Sequence, residues 1–443
     1  MKAIVSLPRP QPSYRHDVGY EVRLDLSPLA AWTELPCHWI ATYRTAAHGG
    51  KGNAQDREGM GWASRLACAR RGARWVDLES DERGLNEKIE ALRDLGTRVV
   101  LSHHILDAGD PFASLPPLDL NHIDVLKVIG TGSTTEDVCN QRLVYSDWQG
   151  PALVHFYMGA EFACTRWLSL VYGAPFTFVS LPGDAVAPGQ LELDDVVGRD
   201  LPKSPRLFAI VGHPIGHSKS PKRHEPYLRA LDSNALFLGM PVQQPRDFAL
   251  LLEMFPELCG LAITKPAKGW AAAYANSVWH VSHPAGAINT AVRISDQWQV
   301  DNTDYAALLA LLSEYPEEWR IRVLGYGGLG QVAVAAARAL GRSVTVSNRT
   351  ELEGVVGFVP WAERHDGPFE ILVQATSCGM GNQDSPLDMI PASMKVLIES
   401  IYEPERTRLV DMATKQGCSV ILGSTFFERQ AALQEIRFRQ VLD

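Results

Sequence analysis

Lys127 is the strongest candidate for a reactive residue in this 443-residue chain, because it interrupts the apolar run 125–129. A buried ammonium group is costly unless it is paired or neutral. One interpretation is an internal ion pair with Glu21 or Asp25. The other is a Schiff-base lysine, whose pKa burial and nearby cations would have to lower from about 10.4 toward 7.

Further charged side chains lie in the same part of the chain, within or at the ends of apolar runs. Glu21, Arg23 and Asp25 alternate along one run, so a strand there would place all three on one face. That face is either a solvated surface or a polar pocket. Arg44, Glu79, His103 and His104 follow at the ends of later runs.

A pair of hydroxyls stands after the apolar run 208–211. Ser218 and Ser220 precede Pro221, which suits the first turn of a helix because its missing N–H would be unpaired there. Hydroxyls and free N–H groups at a strand-to-helix turn can hold a carboxylate or phosphate. An ordinary helix cap is the alternative.

Residues 320–340 place a glycine-rich turn between an apolar run and an alanine-rich segment. Such glycines let the backbone approach a pyrophosphate at a helix N-terminus. The turn contains Gly325, Gly327 and Gly328, and the next run ends in Asn348, Arg349 and Thr350. An NAD site usually has an acid there, whereas an arginine and hydroxyls suit the 2′-phosphate of NADP.

Two α/β units must position these groups. In residues 1–203, eight apolar runs alternate with several helical patterns, which predicts a parallel sheet and a trimmed (β/α)8 barrel. The barrel is called trimmed because the gaps after the first two runs are short or proline-rich. The linker 199–206 contains two prolines, and strands and helices alternate again after it.

The composition, 46% hydrophobic and 21% charged, is typical of a soluble globular protein. A net charge of −9 argues against nucleic-acid or anionic-membrane partners. Seven dispersed cysteines suggest reduced thiols and a cytoplasmic location. The start of the sequence does not resemble a signal peptide, and no run is long enough to span a membrane. His280 and His283 lie in no metal-ligand pattern, so we expect no metal.

The residues around the paired serines resemble the signature of the shikimate dehydrogenase family, and later motifs match in the family's order. The signature is carried by Gly212, Pro214, Ile215, His217, Ser218, Ser220, Pro221 and His224. The resemblance implies that Lys268 and Asp304 form the catalytic pair and that NADP is the cofactor. It places Ser218, Ser220, Thr264, Asn289, Tyr402 and Gln430 at the substrate and Gly325, Gly327, Gly328, Asn348, Arg349 and Thr350 at the cofactor.

The first part is similar to the type I 3-dehydroquinate dehydratases across nearly its whole length. The matching stretches are YEVRLDL, SHH, DVLK, MGAEFACTR and APGQ. This resemblance implies a Schiff base on Lys127 and acid/base catalysis by His104. It places the substrate contacts on Glu21, Arg23, Arg44, Arg166 and Gln190, the last in a closing loop.

Two residues depart from the dehydratase pattern. His48 stands where the family has a glutamate that supports the catalytic histidine, and Val186 stands where it has a serine. We expect His48 to remove a carboxylate partner from His104 and to lower its pKa. We expect Val186 to remove one hydroxyl donor from the closing loop.

Together these features predict a bifunctional enzyme that converts 3-dehydroquinate to 3-dehydroshikimate and then to shikimate with NADPH. The predicted domains are residues 1–203 for the barrel, 206–305 for substrate binding, 306–420 for a Rossmann NADP domain, and 421–443 for a helix that returns to the substrate domain. The alternatives are a dehydrogenase with a degenerate barrel, a preference for quinate, and a ligand-sensing regulator. The sequence does not predict the oligomeric state.

Overall fold

The computed structural model describes residues 2–199, 201, 204–216, 218–280, 283, 286–381 and 384–443. Three β-sheets lie within them, of nine, five and six strands. The first sheet is built from residues 3–192, the second from 206–301 and the third from 321–421. The predicted α/β class is confirmed.

All eight apolar runs of the first part form strands, and every neighbouring pair in their sheet is parallel. The strands are β1 (Ala3–Leu7), β2 (Gly19–Arg23), β3 (Trp39–Thr42), β4 (Trp75–Glu79), β5 (Arg98–Ala108), β6 (Val125–Thr131), β7 (Ala152–Met158), β8 (Thr177–Ser180) and β9 (Leu191–Glu192). Both faces of these strands are buried, which explains why they read as near-continuous apolar runs.

The order of strands is that of a barrel, but the sheet is curled and open. Neighbours run β7-β6-β5-β4-β3-β2-β1-β8-β9. Closure would need a β7–β8 ladder, and none forms in the described part of the chain. The two-residue strand β9 pairs with β8 on the edge away from β1 instead. The expected trimmed (β/α)8 barrel is thus confirmed in order and direction and corrected in closure.

Helices fill some of the connections between these strands, and the links after β1, β2 and β5 contain no α-helix. The helices are α1 (Ala54–Asp56), α2 (Trp62–Arg70), α3 (Leu85–Asp94), α4 (Thr135–Asp147), α5 (Cys164–Val171) and α6 (Leu193–Val196), with a π-helical segment at Arg57–Gly61 and 3-10 turns at Leu29–Ala31, Ala46–His48 and Ala160–Phe162.

The second sheet has the order β11-β10-β12-β13-β14. Its first three strands are parallel to one another, and the last two are antiparallel. The elements are β10 (Arg206–Gly212), α7 (Ser220–Leu231), β11 (Ala235–Pro241), α8 (Pro245–Met254), β12 (Leu258–Ile263), α9 (Ala267–Tyr274), a π-helical segment (Ala275–Trp279), β13 (Thr290–Ile294) and β14 (Gln297–Asp301).

The third sheet is parallel throughout, in the order β17-β16-β15-β18-β19-β20. This is the doubly wound order whose direction reverses between β15 and β18, and ligands bind at such a reversal. The elements are α10 (Thr303–Ser313), β15 (Ile321–Leu324), α11 (Gly328–Ala339), β16 (Val344–Asn348), β17 (Phe358–Pro360), a 3-10 turn (Trp361–Glu363), β18 (Ile371–Gln374), β19 (Val396–Glu399), α12 (Arg408–Lys415), β20 (Ser419–Ile421) and α13 (Gly423–Leu442).

The last helix, α13, packs on elements of the second sheet. The Phe438 ring centre lies 5.4 Å from both Phe208 and His224. Gln434 donates to the Asn289 carbonyl at 3.1 Å. Because these contacts bury one face of the helix, the C-terminus is fixed against the sheet that precedes the Rossmann-type unit.

No helix among the described residues is long and apolar enough to cross a membrane. No group of three or more His, Cys, Asp or Glu residues among them could hold a metal ion. Of the two histidines that lie in no metal-ligand pattern, His280 is exposed and His283 packs edge-on against Tyr305, with ring centres 5.5 Å apart.

Candidate active sites

Lys127 lies inside the curled sheet, on β6, with its side chain 6% exposed. Its Nζ is 3.7 Å from Asp77 Oδ2 and 4.2 Å from the centre of the Phe178 ring. The interpretation of Lys127 as a paired lysine named Glu21 or Asp25 as the partner, and the ion pair that the structure shows is with Asp77 instead. Arg23 holds Asp25 at 2.8 Å, whereas β4 points the Asp77 carboxylate at the lysine.

The surroundings of Lys127 favour its neutral amine. Burial is the largest cause and Arg44 the next, and together they lower the pKa of Lys127 to about 8 although Asp77 and Glu21 act in the opposite direction. Asp77 stays ionised: burial alone would raise its pKa, but Arg44 and Lys127 lower it overall. An amine in this state is a nucleophile near neutral pH.

Arg44 joins the acids of this site. Its guanidinium contacts Asp77 at 3.0 Å and Glu21 at 3.9 Å, and it also bonds Glu79. All three acids are buried. Arg44 therefore balances part of the charge of these buried acids and places a fixed cation beside Lys127 and His104.

His104 faces the same cluster. Its Nδ1 lies 2.9 Å from Arg44 Nη1 and 3.2 Å from Glu79 Oε2. In either tautomer, Nε2 has no protein partner among the described residues. It can donate when it carries the proton and accept when it does not. Burial, and then Arg44 and Lys127, lower the pKa of His104 well below its ordinary value. A neutral imidazole in this position can take up a proton and return it.

His48 does not leave His104 without a carboxylate partner, because Glu79 supplies one from β4. The His48 ring centre lies 6.4 Å from that of His104. Its Nδ1 contacts Thr45 Oγ1 at 2.8 Å, and its Nε2 lies 3.6 Å from Asp81. The residue that replaces the expected glutamate is therefore held outside the cluster by its own polar partners.

The closing loop reaches the first site through Gln190. Its Nε2 donates to Ser6 Oγ at 3.3 Å, and that hydroxyl donates to Glu21 Oε2 at 2.7 Å. The Val186 N–H in turn donates to Gln190 Oε1 at 2.9 Å. The loop thus keeps a polar link to the acids, with the backbone at Val186 supplying a donor although its side chain has none.

Arg166, on α5, is buried without an acid. The structure shows no side-chain hydrogen bond or ion pair for it among the described residues, and its Nε is unpaired. Its guanidinium stacks on Phe156 at 4.0 Å, and burial lowers its pKa to about 9. A buried, unpaired guanidinium is a ready binding group for a carboxylate.

Sequence reasoning missed Asp77 and Ser102, and it assigned no role to Glu79. Ser102 donates to Asp77 Oδ2 at 2.7 Å. The signal was present in WVDLE, where two acids alternate within an apolar strand and so share a face. The side chain of His103, which was named together with His104, points away from the acid cluster and contacts Ser80 and Ser114.

The second site is a cleft of about 640 Å³ between the second and third sheets. Lys268 at the start of α9 and Asp304 at the start of α10 form an ion pair across it at 2.5 Å. The lysine is 17% and the aspartate 8% exposed. Ten predicted residues line the cleft: Ser218, Ser220, Thr264, Lys268, Asn289, Asp304, Gly327, Gly328, Tyr402 and Gln430.

The two serines stand at one wall of the cleft, at the start of α7. Ser218 Oγ accepts the Ser220 N–H at 3.2 Å, the N-cap residue Lys219 makes no side-chain cap hydrogen bond, and both serines line the cleft. Lys219 places its Nζ 5.0 Å from the centre of the Tyr402 ring on the facing wall. Hydroxyls beside a cation suit an anionic substrate group. His217 lies outside the described residues.

Asn289 and Gln430 are held in one hydrogen-bond network. Asn289 Oδ1 accepts the Thr303 N–H at 2.8 Å, and Asn289 Nδ2 lies 3.0 Å from Thr303 Oγ1. The Thr303 hydroxyl in turn donates to Gln430 Oε1 at 3.1 Å. The network fixes both amides on the wall next to Asp304.

The glycine-rich turn has the close packing that a dinucleotide site requires. Gly325 has φ +91°, and a Cβ there would lie 3.0 Å from the Ala375 carbonyl oxygen. A Cβ at Gly330 would lie 2.0 Å from the Gly325 carbonyl oxygen, so this glycine, which we did not assign, lets α11 approach β15. Gly327 and Gly328, at the N-terminus of α11, line the cleft.

Asn348 ends β16, and Arg349 and Thr350 follow it, beside the turn and outside the lining of the cleft. Asn348 Oδ1 accepts the Tyr326 N–H at 3.2 Å, and its Nδ2 donates to the Thr350 carbonyl at 2.9 Å. Arg349 is exposed. No acid stands at the end of this strand, so the residues present fit a ribose that bears a 2′-phosphate.

Comparisons with known proteins agree with this division of the chain. The type I 3-dehydroquinase family matches residues 17–198, and the shikimate dehydrogenase substrate binding domain matches residues 210–291. A shikimate dehydrogenase (NADP(+)) of Staphylococcus aureus is 32% identical over 246 residues, which are 51% of this chain and 89% of that protein.

A relative spans both parts. The chloroplastic bifunctional 3-dehydroquinate dehydratase/shikimate dehydrogenase of Arabidopsis thaliana is 25% identical over 471 residues, 95% of this chain and 77% of that protein. A crystal structure of a Thermus thermophilus shikimate 5-dehydrogenase with NADP(H) and shikimate aligns with a TM-score of 0.46 and 27% identity, over 52% of this chain and 92% of that one. The chain belongs to the shikimate dehydrogenase family, and a type I 3-dehydroquinase domain precedes its dehydrogenase part.

Proposed function

We propose that the first site dehydrates 3-dehydroquinate to 3-dehydroshikimate through a Schiff base on Lys127. The observation that carries this proposal is a buried lysine whose pKa is lowered to about 8, next to a neutral His104. The amine adds to the substrate ketone and expels water, giving an iminium that acidifies the neighbouring carbon. His104 takes that proton and returns it to the departing hydroxyl, and hydrolysis then frees Lys127.

Other residues of the first site would hold the substrate. Arg166, the buried guanidinium without an acid, suits the carboxylate of the quinate ring. Glu21 and Arg23 on β2, together with Arg44, suit its hydroxyls. Gln190 would complete the site when the closing loop lies over it. The retained cluster supports an active barrel over a degenerate one.

The second site would reduce the 3-dehydroshikimate formed by the first. NADPH, when bound, supplies the hydride, and Gly325, Gly327, Gly328, Asn348, Arg349 and Thr350 are the residues that would hold it. Lys268 and Asp304 would hold the substrate oxygen and pass the proton that becomes the hydroxyl of shikimate.

The remaining polar groups of the cleft would orient the substrate. Ser218 and Ser220 suit its carboxylate. Thr264, Asn289, Tyr402 and Gln430 suit its ring hydroxyls.

We further propose that residues 1–203 carry the dehydratase, 206–305 the substrate-binding lobe, 306–420 the NADP lobe, and 421–443 the returning helix. The partners are small molecules of the shikimate pathway. Seven free cysteines support a cytoplasmic location.

The experiment that tests the proposal treats the purified protein with 3-dehydroquinate and borohydride in the absence of NADPH. Borohydride reduces an imine to a stable secondary amine, so we expect a mass increase that peptide mapping assigns to Lys127. NADPH oxidation with 3-dehydroshikimate is measured in parallel, with quinate and NADP⁺ as the comparison substrates for the reverse reaction.

Each outcome separates two functions. An adduct together with NADPH oxidation supports the bifunctional enzyme. No adduct with NADPH oxidation intact would make the first part degenerate and leave a dehydrogenase. Binding of both ligands without turnover would instead indicate a regulator, and faster oxidation of quinate than of shikimate would reassign the second site.

A further inference from the structure

Glu161 connects the two parts of the chain. It lies in the 3-10 turn Ala160–Phe162 after β7, yet it contacts the turn that follows β10. Its Oε1 accepts the Ile215 N–H at 2.7 Å, and its Oε2 lies 2.7 Å from His213 Nδ1. The Glu161 side chain is only 17% exposed.

The turn that Glu161 contacts is the one that carries the two serines of the cleft. The Ser218 N–H donates to the Ile215 carbonyl at 2.9 Å, and Ser218 Oγ accepts the Ser220 N–H at 3.2 Å. The Glu161 carboxylate therefore binds the N–H of the same residue whose carbonyl holds Ser218. A displacement of Ile215 would pass directly to the hydroxyl pair.

Backbone hydrogen bonds from the second part hold the start of this turn. His213 N donates to the Lys265 carbonyl at 3.0 Å, and the Gly212 carbonyl accepts from Val242 N at 2.9 Å. Further along, the buried Ile215 side chain packs in the core cluster with Phe208 and Ile210, and the hydrogen bond to its N–H comes from Glu161 of the first part. A Cβ on Gly216 would lie 3.0 Å from the Ala160 Cβ, so the turn also packs tightly against the segment that carries Glu161.

A second set of contacts between the two parts lies away from both sites. Glu136 on α4 accepts from Arg246 on α8 at 2.9 Å, with both side chains exposed. The Thr135 hydroxyl donates to the Pro241 carbonyl at 2.9 Å. Glu136 thus offers a control of the same chemistry: a carboxylate of the first part that bonds the second part and touches neither the serine turn nor the cleft.

We propose that Glu161 of the dehydratase part is a positioning residue of the dehydrogenase, holding the Ile215 turn so that Ser218 and Ser220 meet the carboxylate of shikimate. This rests on the proposed function of the cleft. Hydrogen bonds to an ionised group are among the stronger ones, and small misplacements of binding groups are costly. The dehydrogenase site is therefore completed by a residue from outside its own sheets.

The test compares Glu161→Ala, Glu161→Gln and the control Glu136→Ala in the full chain, by steady-state oxidation of shikimate with NADP⁺. We expect Glu161→Ala to raise KM for shikimate by about tenfold, the lower end of the effect of one lost charge-assisted hydrogen bond. KM for NADP⁺ should stay within about twofold of the wild-type value. In Glu136→Ala, KM for shikimate and KM for NADP⁺ should both stay within about twofold of the wild-type values. Glu161→Gln should recover most of the shikimate affinity, because its amide can still accept from Ile215 N and donate to His213 Nδ1.

A rise of both KM values together, or equal values for Glu161→Ala and Glu136→Ala, would overturn the proposal, since a loosened interface has no preference for one substrate. Shikimate binding is also measured by tryptophan fluorescence in all four proteins. A wild type that binds shikimate without oxidising it contradicts the proposed function alone, and the dissociation constants then decide the role of Glu161. No binding at all overturns both.

Discussion

The two lysines assigned to catalysis stand in opposite surroundings. Lys127 is 6% exposed, 3.7 Å from its nearest carboxylate, and shares its site with Arg44. Lys268 is 17% exposed and only 2.5 Å from Asp304, at the edge of an open cleft. Lys127 is desolvated and forms no tight ion pair, whereas Lys268 forms a close ion pair with Asp304.

This difference matches the two chemistries. A lysine that forms an imine must be neutral for part of the time, which burial and neighbouring cations bring about. A lysine that holds a substrate oxygen and passes a proton works as an ammonium group with an anionic partner. In the proposed function, one chain thus uses the same side chain in two roles, and the surrounding carboxylates and guanidinium select the role.

Replacing each lysine by methionine gives the largest expected effect. Because Lys127 is the proposed nucleophile of the first site, Lys127→Met should lower dehydratase kcat by more than about 10³-fold. Lys268→Met should lower dehydrogenase kcat by roughly 10²–10⁴-fold through loss of proton transfer. Both activities are measured in each full-length variant.

Each variant serves as the control for the other, since the untouched activity reports that the chain has folded. Loss of both activities in Lys127→Met, with a normal melting temperature, would contradict the separation of the two sites.

The pH dependence of the dehydratase sharpens the comparison. The pKa of Lys127 lies near 8, below its ordinary value, so the reactive amine grows from roughly a tenth at pH 7 to nearly all above pH 9. We expect kcat/KM to rise with pH through about 8 and to reach a plateau above about 9. Asp77 raises this pKa, so Asp77→Asn should move the rise to lower pH.

The measurement is the pH at which kcat/KM reaches half of its plateau value, in a profile from pH 6 to 10. This pH does not depend on the height of the plateau. A half-plateau pH that stays in place in Asp77→Asn, or moves to higher pH, would show that a group other than Lys127 sets it.

The smallest effect is expected at the exposed edge of the cofactor site. Arg349→Ala should raise KM for NADPH by about fivefold to tenfold and leave KM for NADH nearly unchanged, because only NADPH has the phosphate that the guanidinium would bind. Arg338→Ala, an exposed arginine in the last turn of α11, is the matched control. Equal changes for the two coenzymes would remove Arg349 from phosphate recognition.

The strand pattern and the family motifs predicted most of the architecture. The eight apolar runs are strands β1–β8, and the glycine-rich turn lies at the reversal of the third sheet. The missing ladder between β7 and β8 could not be predicted. Strand β9 (Leu191–Glu192) takes the edge of β8 that closure would use, and two residues are too few to show a period.

The sequence by itself determined which groups could react: a lysine in an apolar strand, a histidine at the end of the preceding apolar run, a serine pair, and glycines at a helix start. The tertiary structure alone decided their partners. Lys127 faces Asp77 and not Glu21 or Asp25, Glu79 replaces the expected glutamate beside His104, and Glu161 reaches the serine turn from the other part. The physical reason is that strand spacing fixes which face a side chain shares, whereas contacts between strands and between sheets depend on packing that no local period records.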